Sequence, residues 1–258
     1  MKQFSQFADI IENMQPLGSN DHLPESLRLT RIGNIETYYA PFEYINREAR
    51  ITICGITPGL QQARNAINAA RQCLRDKLPH QEVLAQAKQT ASFSGPMRSN
   101  LVTMLNYLGI PSWLGIHDSE QLFGSHSHLV HYTSALRYPV LVNGKNYNGT
   151  PAMLKQSTLR EQIETSLLEE IRILPDNLFL PLGPRVSEVF QLFVNQGVLS
   201  QDQVLVGMPH PSGANAERIA YFLERKPREV LSNKVNPDTI DRARVALLAK
   251  MSALSETA

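Results

Sequence analysis

Arg50-Ile-Thr-Ile-Cys-Gly-Ile-Thr-Pro-Gly59 is the stretch that decides the fold class. Its first half is rich in β-branched residues and its end is a Pro-Gly pair, a combination that predicts a short strand closed by a tight turn. Immediately afterwards Ala63, Ala66, Ile67, Ala70, Cys73 and Leu74 recur at helical spacing. Strand, turn and helix in that order form the building unit of an α/β protein.

The same alternation continues outward. Leu101, Met104, Leu105 and Leu108 predict a helix that stops at Gly109, where glycine accepts the left-handed conformation of a helix end. A strand is expected over Leu129 to Leu136, followed by the turn-rich Asn143-Gly-Lys-Asn-Tyr-Asn-Gly149. Leu159, Ile163, Leu167 and Ile171 share one face of a long amphipathic segment. Two short strands, Asn177 to Pro181 and Gln203 to Val206, flank a helix carrying Val186, Val189, Phe190 and Phe193. Upstream, Phe4, Phe7, Ile11 and Met14 predict a helix, and the segment from Pro16 to about Arg47 reads mainly as loop. The expectation is a single three-layer α/β/α domain built on a short, mainly parallel four-stranded sheet. Residues 1–48 form an N-terminal helix-and-loop extension in this reading, 49–222 the core and 223–258 a C-terminal helical extension.

At 258 residues with 42% hydrophobic content, the chain is large enough for a sizeable core. It contains no apolar run of the roughly 18 residues a membrane span needs, and its first residues lack the apolar block of a secretory signal, so a cytoplasmic protein with no membrane partner is expected. Cys54 and Cys73 are too few to hold an iron–sulfur cluster. Lys and Arg total 25 against 24 Asp and Glu, so contact with a polyanion must be local. The basic stretch from Arg218 to Lys234 is the candidate, and a solvated helix face explains it equally well. His117, His126, His128 and His131 lack a convincing metal-ligand pattern, and no metal or other cofactor is expected.

In α/β sheets ligands bind beyond the carboxyl ends of the strands. Three turns there carry unusual residues: Gly55-Ile-Thr-Pro-Gly59, Ser92-Phe-Ser-Gly-Pro96, and Gly207-Met-Pro-His-Pro-Ser-Gly-Ala-Asn215. The last fixes His210 and Ser212 in a rigid loop. Structure alone does not ask for a histidine between two prolines.

Taken in order, these segments resemble the motifs of the uracil-DNA glycosylase superfamily. Gly55 to Gly59 is similar to the Gly-Ile-Asn-Pro-Gly of mismatch-specific members, Phe93-Ser-Gly-Pro96 to the segment whose ring stacks on the extruded base, Thr133-Ser-Ala-Leu-Arg137 to a Thr-Asn-x-x-Lys segment, and His210-Pro-Ser212 to the closing motif. The resemblance runs from about Ile51 to Phe222. It implies a monofunctional DNA N-glycosylase that flips a base and hydrolyses its bond to the sugar, leaving an abasic site. Thr57 and His210 are then the catalytic residues, and Ile56, Phe93 and Ser134 bind the base. Gly59, Gln61, Ser212, Gly213, Asn215 and Arg218 contact DNA, the expected partner of a monomeric enzyme serving repair or defence.

The departures from the pattern matter. Thr57 stands where relatives use Asp or Asn, and a hydroxyl orients water without accepting its proton. A β-branched residue ending a strand is its other reading. Ala214 replaces a wedge residue. Ser134 replaces an asparagine that pairs with uracil, which predicts a base other than plain uracil, such as a modified cytosine or a deaminated base. The competing readings are an inactive nucleic-acid or nucleobase-binding module of the same fold and an unrelated α/β hydrolase, although no Gly-x-Ser-x-Gly elbow is present.

Overall fold

The computed structural model describes residues 2–93 and 95–256. The helices are α1 (Lys2–Asn13), α2 (Leu60–Arg75), α3 (His80–Ala91), α4 (Pro96–Tyr107), α5 (Ile110–Leu114), α6 (Ser157–Gln162), α7 (Leu168–Ile173), α8 (Pro184–Asn195), α9 (Ala216–Phe222) and α10 (Pro237–Glu256). The strands are β1 (Arg28–Ile32), β2 (Ile35–Tyr38), β3 (Ile51–Gly55), β4 (Val130–Ser134), β5 (Val140–Val142), β6 (Lys145–Asn146) and β7 (Leu178–Pro181). Mixed α/β character is therefore as expected. The chain forms two compact units interleaved in sequence: residues 1–45, 56–94 and 132–173 make the first, and 46–55, 95–131 and 174–258 the second.

In the first unit α2 and α3 pack through small residues, Ala63, Ala66 and Ala70 on one helix with Val83, Leu84, Ala87 and Ala91 on the other, all buried. The opposite face of α2 is polar for a reason. Arg64 donates to the carbonyls of Ser19 and Asp21 (2.6 and 2.7 Å), Asn68 bonds both main-chain groups of Leu17 (2.8 Å each), and Arg71 donates to the Met14 carbonyl (2.7 Å). Side chains three and four apart share a helix face, so one stripe of α2 satisfies the backbone of residues 14–21, which has no ladder of its own.

The segment from Pro16 to Arg47 is more ordered than its composition suggests. It contains the β1–β2 hairpin, closed by Gly33 at φ +59°, and this pairs on through β5 and β6 in an antiparallel sheet of order β1-β2-β5-β6. β1 is an exposed edge strand and β2 has only four residues, too little for a local apolar alternation, which is why the sequence reads as loop. The β5–β6 turn uses Asn143 and Gly144 at φ +51° and +71°, the conformation an Asn-Gly pair tolerates in a two-residue hairpin.

The second sheet has the order β4-β3-β7 and is parallel. In the second unit β3 pairs with β7 in the register Ile51 with Leu178 to Cys54 with Pro181, and every residue of both strands is buried. That burial explains their unbroken apolar runs. The expected fourth strand, Gln203 to Val206, is instead a single parallel bridge between Val204 and Phe179. A 3₁₀ turn at Gln201–Gln203 occupies its start and Gly207, at φ +115°, ends it, leaving too few residues for a ladder. Phe190 meets Phe179 at a tilt and Phe193 edge to face, with centroids 5.7 and 6.4 Å apart.

Candidate functional site

The residues singled out by sequence fall into two groups, one in each unit. In the second unit the loop after Gly207 holds His210, Ser212, Gly213 and Asn215. The side chain of Asn100 on α4 donates to the Pro211 carbonyl (2.9 Å), and Gly183, at φ +83°, lies so close that an added methyl group would touch the His210 Cβ at 3.4 Å. Gly183 also donates its amide to the Met208 carbonyl (3.0 Å). The β7 end and α4 thus both anchor the histidine loop.

Within that loop the Ser212 amide donates to Nδ1 of His210 at 3.2 Å. A ring nitrogen that accepts a hydrogen bond carries no proton, so in the neutral ring the proton sits on Nε2. Burial pushes the His210 pKa down and favours that neutral form. The side chain is therefore a preset Nε2–H donor. Ser212 Oγ accepts from the Asn215 amide (3.1 Å), which leaves its hydroxyl proton able to donate outward.

Arg218 is less available than its charge suggests, since it donates to Asn215 Oδ1 (3.1 Å) and to the Lys234 carbonyl (2.6 Å). In the same basic stretch Lys226 pairs with Glu217 and Arg228 with Asp238. These pairs account for much of the basic run as internal structure.

In the first unit Ile56 and Thr57 follow β3, and the Ile56 carbonyl accepts from the Leu136 amide (2.9 Å), joining the first motif to the loop after Ser134. Thr57 Oγ1 donates to the Tyr138 carbonyl (3.0 Å) and accepts from the Val140 amide (3.2 Å). Its hydroxyl proton is committed to the backbone. Gly59 and Gln61 lie at the start of α2, where Asn146 Oδ1 accepts the Leu60 amide (2.9 Å) and Gln61 donates to Asn65 (2.9 Å). Ser134, at the end of β4, is partly exposed.

Phe93 is only 6% exposed and meets Tyr132 edge to face at 5.5 Å. Its φ of +47° is rare for an aromatic residue. Such strain persists only where surrounding structure holds it, and it concentrates at ligand clamps. Residue 94, next to it, lies outside the described residues.

One group escaped the sequence reading. Glu43 Oε1 accepts from the Tyr39 hydroxyl (2.8 Å) and lies 3.3 Å from the Tyr138 hydroxyl, which donates at a shorter 3.0 Å to Gln3 Oε1, while Oε2 is buried with no hydrogen-bond partner among the described residues. Burial raises the carboxyl pKa, opposed by the Tyr39 bond and by the nearby Arg137 charge. Both phenols are pushed up by the same burial. Arg137 is itself buried and paired with Glu170 at 2.8 Å. Glu43 belongs to no motif and stands in the segment that read as loop, so only the fold reveals it. The histidine group shows nothing comparable: His131 is buried against the Asn46 amide, and among the described residues no three His, Cys, Asp or Glu side chains are placed to hold a metal.

These features define a mixed α/β protein with polar loops at the ends of its parallel strands and a strained Phe93 after α3. The chain is 34% identical over 229 residues to the uncharacterized protein YoxB of Bacillus subtilis (strain 168), an alignment covering 88% of this chain and 89% of that protein. It belongs to the same family as YoxB. No family model and no solved structure matches it. No described helix is long and apolar enough to cross a membrane.

Proposed function

We propose that this chain is a monofunctional DNA N-glycosylase. The observation that carries the reading is the state of His210: a neutral imidazole in a rigid loop, with Nδ1 occupied by the Ser212 amide and Nε2–H left to donate. Cleavage of an N-glycosidic bond leaves negative charge on the departing base, and a preorganised donor aimed at a base oxygen stabilises that charge. A neutral donor grips the anion as it forms. In this reading Phe93, Ile56 and Ser134 of the first unit are base-binding residues, with Gly59 and Gln61 as contacts to the DNA backbone, and Ser212, Gly213, Asn215 and Arg218 of the second unit are backbone contacts of their own. Serine at position 134 offers one rotating hydroxyl where an amide would offer two fixed contacts, which favours a base other than plain uracil.

A second reading has its own support. Because Thr57 spends its hydroxyl on the backbone, a nucleic-acid-binding module without catalysis also fits the first unit.

Single- and double-stranded oligonucleotides carrying uracil, hypoxanthine, xanthine, hydroxymethylcytosine or its glucosylated form, each followed by alkali cleavage, separate the two. The glycosylase reading expects abasic sites on at least one base. It also expects His210→Ala to slow single-turnover excision about 10²–10³-fold, the cost of one lost oxyanion donor, while DNA binding survives. Binding without excision on every substrate favours the module, and unchanged rates in the variant remove His210 from the mechanism.

A further inference from the structure

Hydrolysis of an N-glycosidic bond needs a water held at the sugar carbon and a group that relieves it of its proton. The first motif, Gly55 to Gly59, contains no carboxylate, and Thr57 has its hydroxyl proton bound to the Tyr138 carbonyl. Tyr138 leads from there to a carboxylate. Its main-chain oxygen accepts from Thr57, and its side-chain hydroxyl lies between Gln3 Oε1 at 3.0 Å and Glu43 Oε1 at 3.3 Å. Both residues lie in the first unit, with Phe93 and Ser134.

Glu43 is arranged asymmetrically. Oε1 accepts from the Tyr39 hydroxyl at 2.8 Å, and Tyr39 is in turn held by stacking on Phe7 at 4.3 Å; the Tyr138 hydroxyl, 3.3 Å from Oε1, shares its single proton with Gln3 Oε1 at the shorter 3.0 Å. Oε2 has no such partner although it is buried. A buried acceptor left unpaired costs free energy, and in native proteins it calls for an ordered water, a ligand or a catalytic role. A purely structural tie between Tyr39 and Tyr138 would need Oε1 alone.

We propose that Glu43, through Oε2, binds the attacking water and takes its proton in the hydrolysis of the N-glycosidic bond, an inference that rests on the glycosylase reading above. The water oxygen bonds to the sugar C1′ as the C1′–N bond breaks. The bonding pair leaves with the base, and the water proton passes to Oε2. The base is reprotonated from solvent and Glu43 releases its proton, so the sum is one water consumed per base released. No oxidant, reductant or metal is required. Tyr39 and Tyr138 are positioning residues.

Glu43→Gln is the discriminating variant, because the amide oxygen still accepts from the Tyr39 phenol while the basic oxygen is lost. On whichever base the wild-type chain excises, its single-turnover rate is expected to fall at least about 100-fold, the lower range for general-base catalysis, with no lowering of the unfolding temperature. After burial, the groups acting on Glu43 are the Tyr39 hydroxyl, its own backbone amide, the Arg137 charge and the charge of the N-terminal amine, with the Tyr138 hydroxyl 3.3 Å from Oε1. Tyr39→Phe removes a donor that stabilises the carboxylate, so the acid limb of the wild-type pH–rate profile should move to higher pH, a change that a structural tie would not cause. This second variant keeps the test decisive if Glu43→Gln folds poorly. A Glu43→Gln rate within threefold of wild type, or an acid limb unmoved by Tyr39→Phe, overturns the assignment while the glycosylase reading stands. A wild-type chain that excises none of the bases overturns both.

Discussion

A buried carboxylate with one oxygen bonded to Tyr39 and the other unpaired among the described residues is poorly placed for stability. Because burial raises its pKa, the folded chain binds the Glu43 proton more tightly than the unfolded chain does. The associated stabilisation is fully present below the ordinary Glu value, 4.5, and is lost as the pH rises through the raised folded value. Glu43→Gln, which cannot ionise, should therefore melt above wild type at pH 8, with the gap closing towards pH 4. Thermal unfolding of both proteins across that range checks the sign, and a variant that melts lower at pH 8 would refute it. His210 has the opposite sign: burial lowers its pKa, so its contribution is present above pH 6.5 and declines as the pH falls below that. His210 was legible in the sequence because prolines surround it. Glu43 was not, because only tertiary packing brings Tyr39 and Tyr138 to it.

At the scale of elements, the loop that carries His210 depends on a helix far along the chain. Gly207 begins that loop at φ +115°, and a methyl group there would sit 2.5 Å from the Cβ of Ala243 on α10. Gly207→Ala combines a disfavoured backbone conformation with a clash, and it should cost about 1–3 kcal/mol of stability. It should also reduce excision, since the loop must move to relieve the contact. Denaturant unfolding beside single-turnover rates measures both, and a loss under about 0.5 kcal/mol would show that α10 yields easily. Helices were the elements read best from sequence, α2 and α8 from their apolar stripes and α4 from its glycine stop. The fourth parallel strand was overread, because Val204 and Leu205 have strand composition but only one bridging position. The β1–β2 hairpin was underread, because its pairing partner β5 is about a hundred residues away and local composition carries no trace of it.

At the scale of the molecule, the two units exchange the chain repeatedly, and β3 is contributed to the second unit from residues 46–55 while β7 comes from beyond residue 174. Cutting the chain at residue 173 therefore separates β7 from the strand whose backbone it pairs with. A fragment of residues 174–258 should show no cooperative thermal transition by circular dichroism, because its buried strand would expose unpaired amides and an apolar face. A sharp transition in that fragment would mean that α8, α9 and α10 carry their own core. The sequence by itself determined the alternation of strands and helices, the Asn143-Gly144 turn and the glycine- and proline-bounded loops around Thr57 and His210, since these depend on local periodicity and on φ preferences written into single residues. Only the tertiary structure decided which strands pair, that the polar face of α2 clamps residues 14–21 and that Tyr138 comes beside Glu43, because each depends on groups far apart in sequence meeting at hydrogen-bond distance.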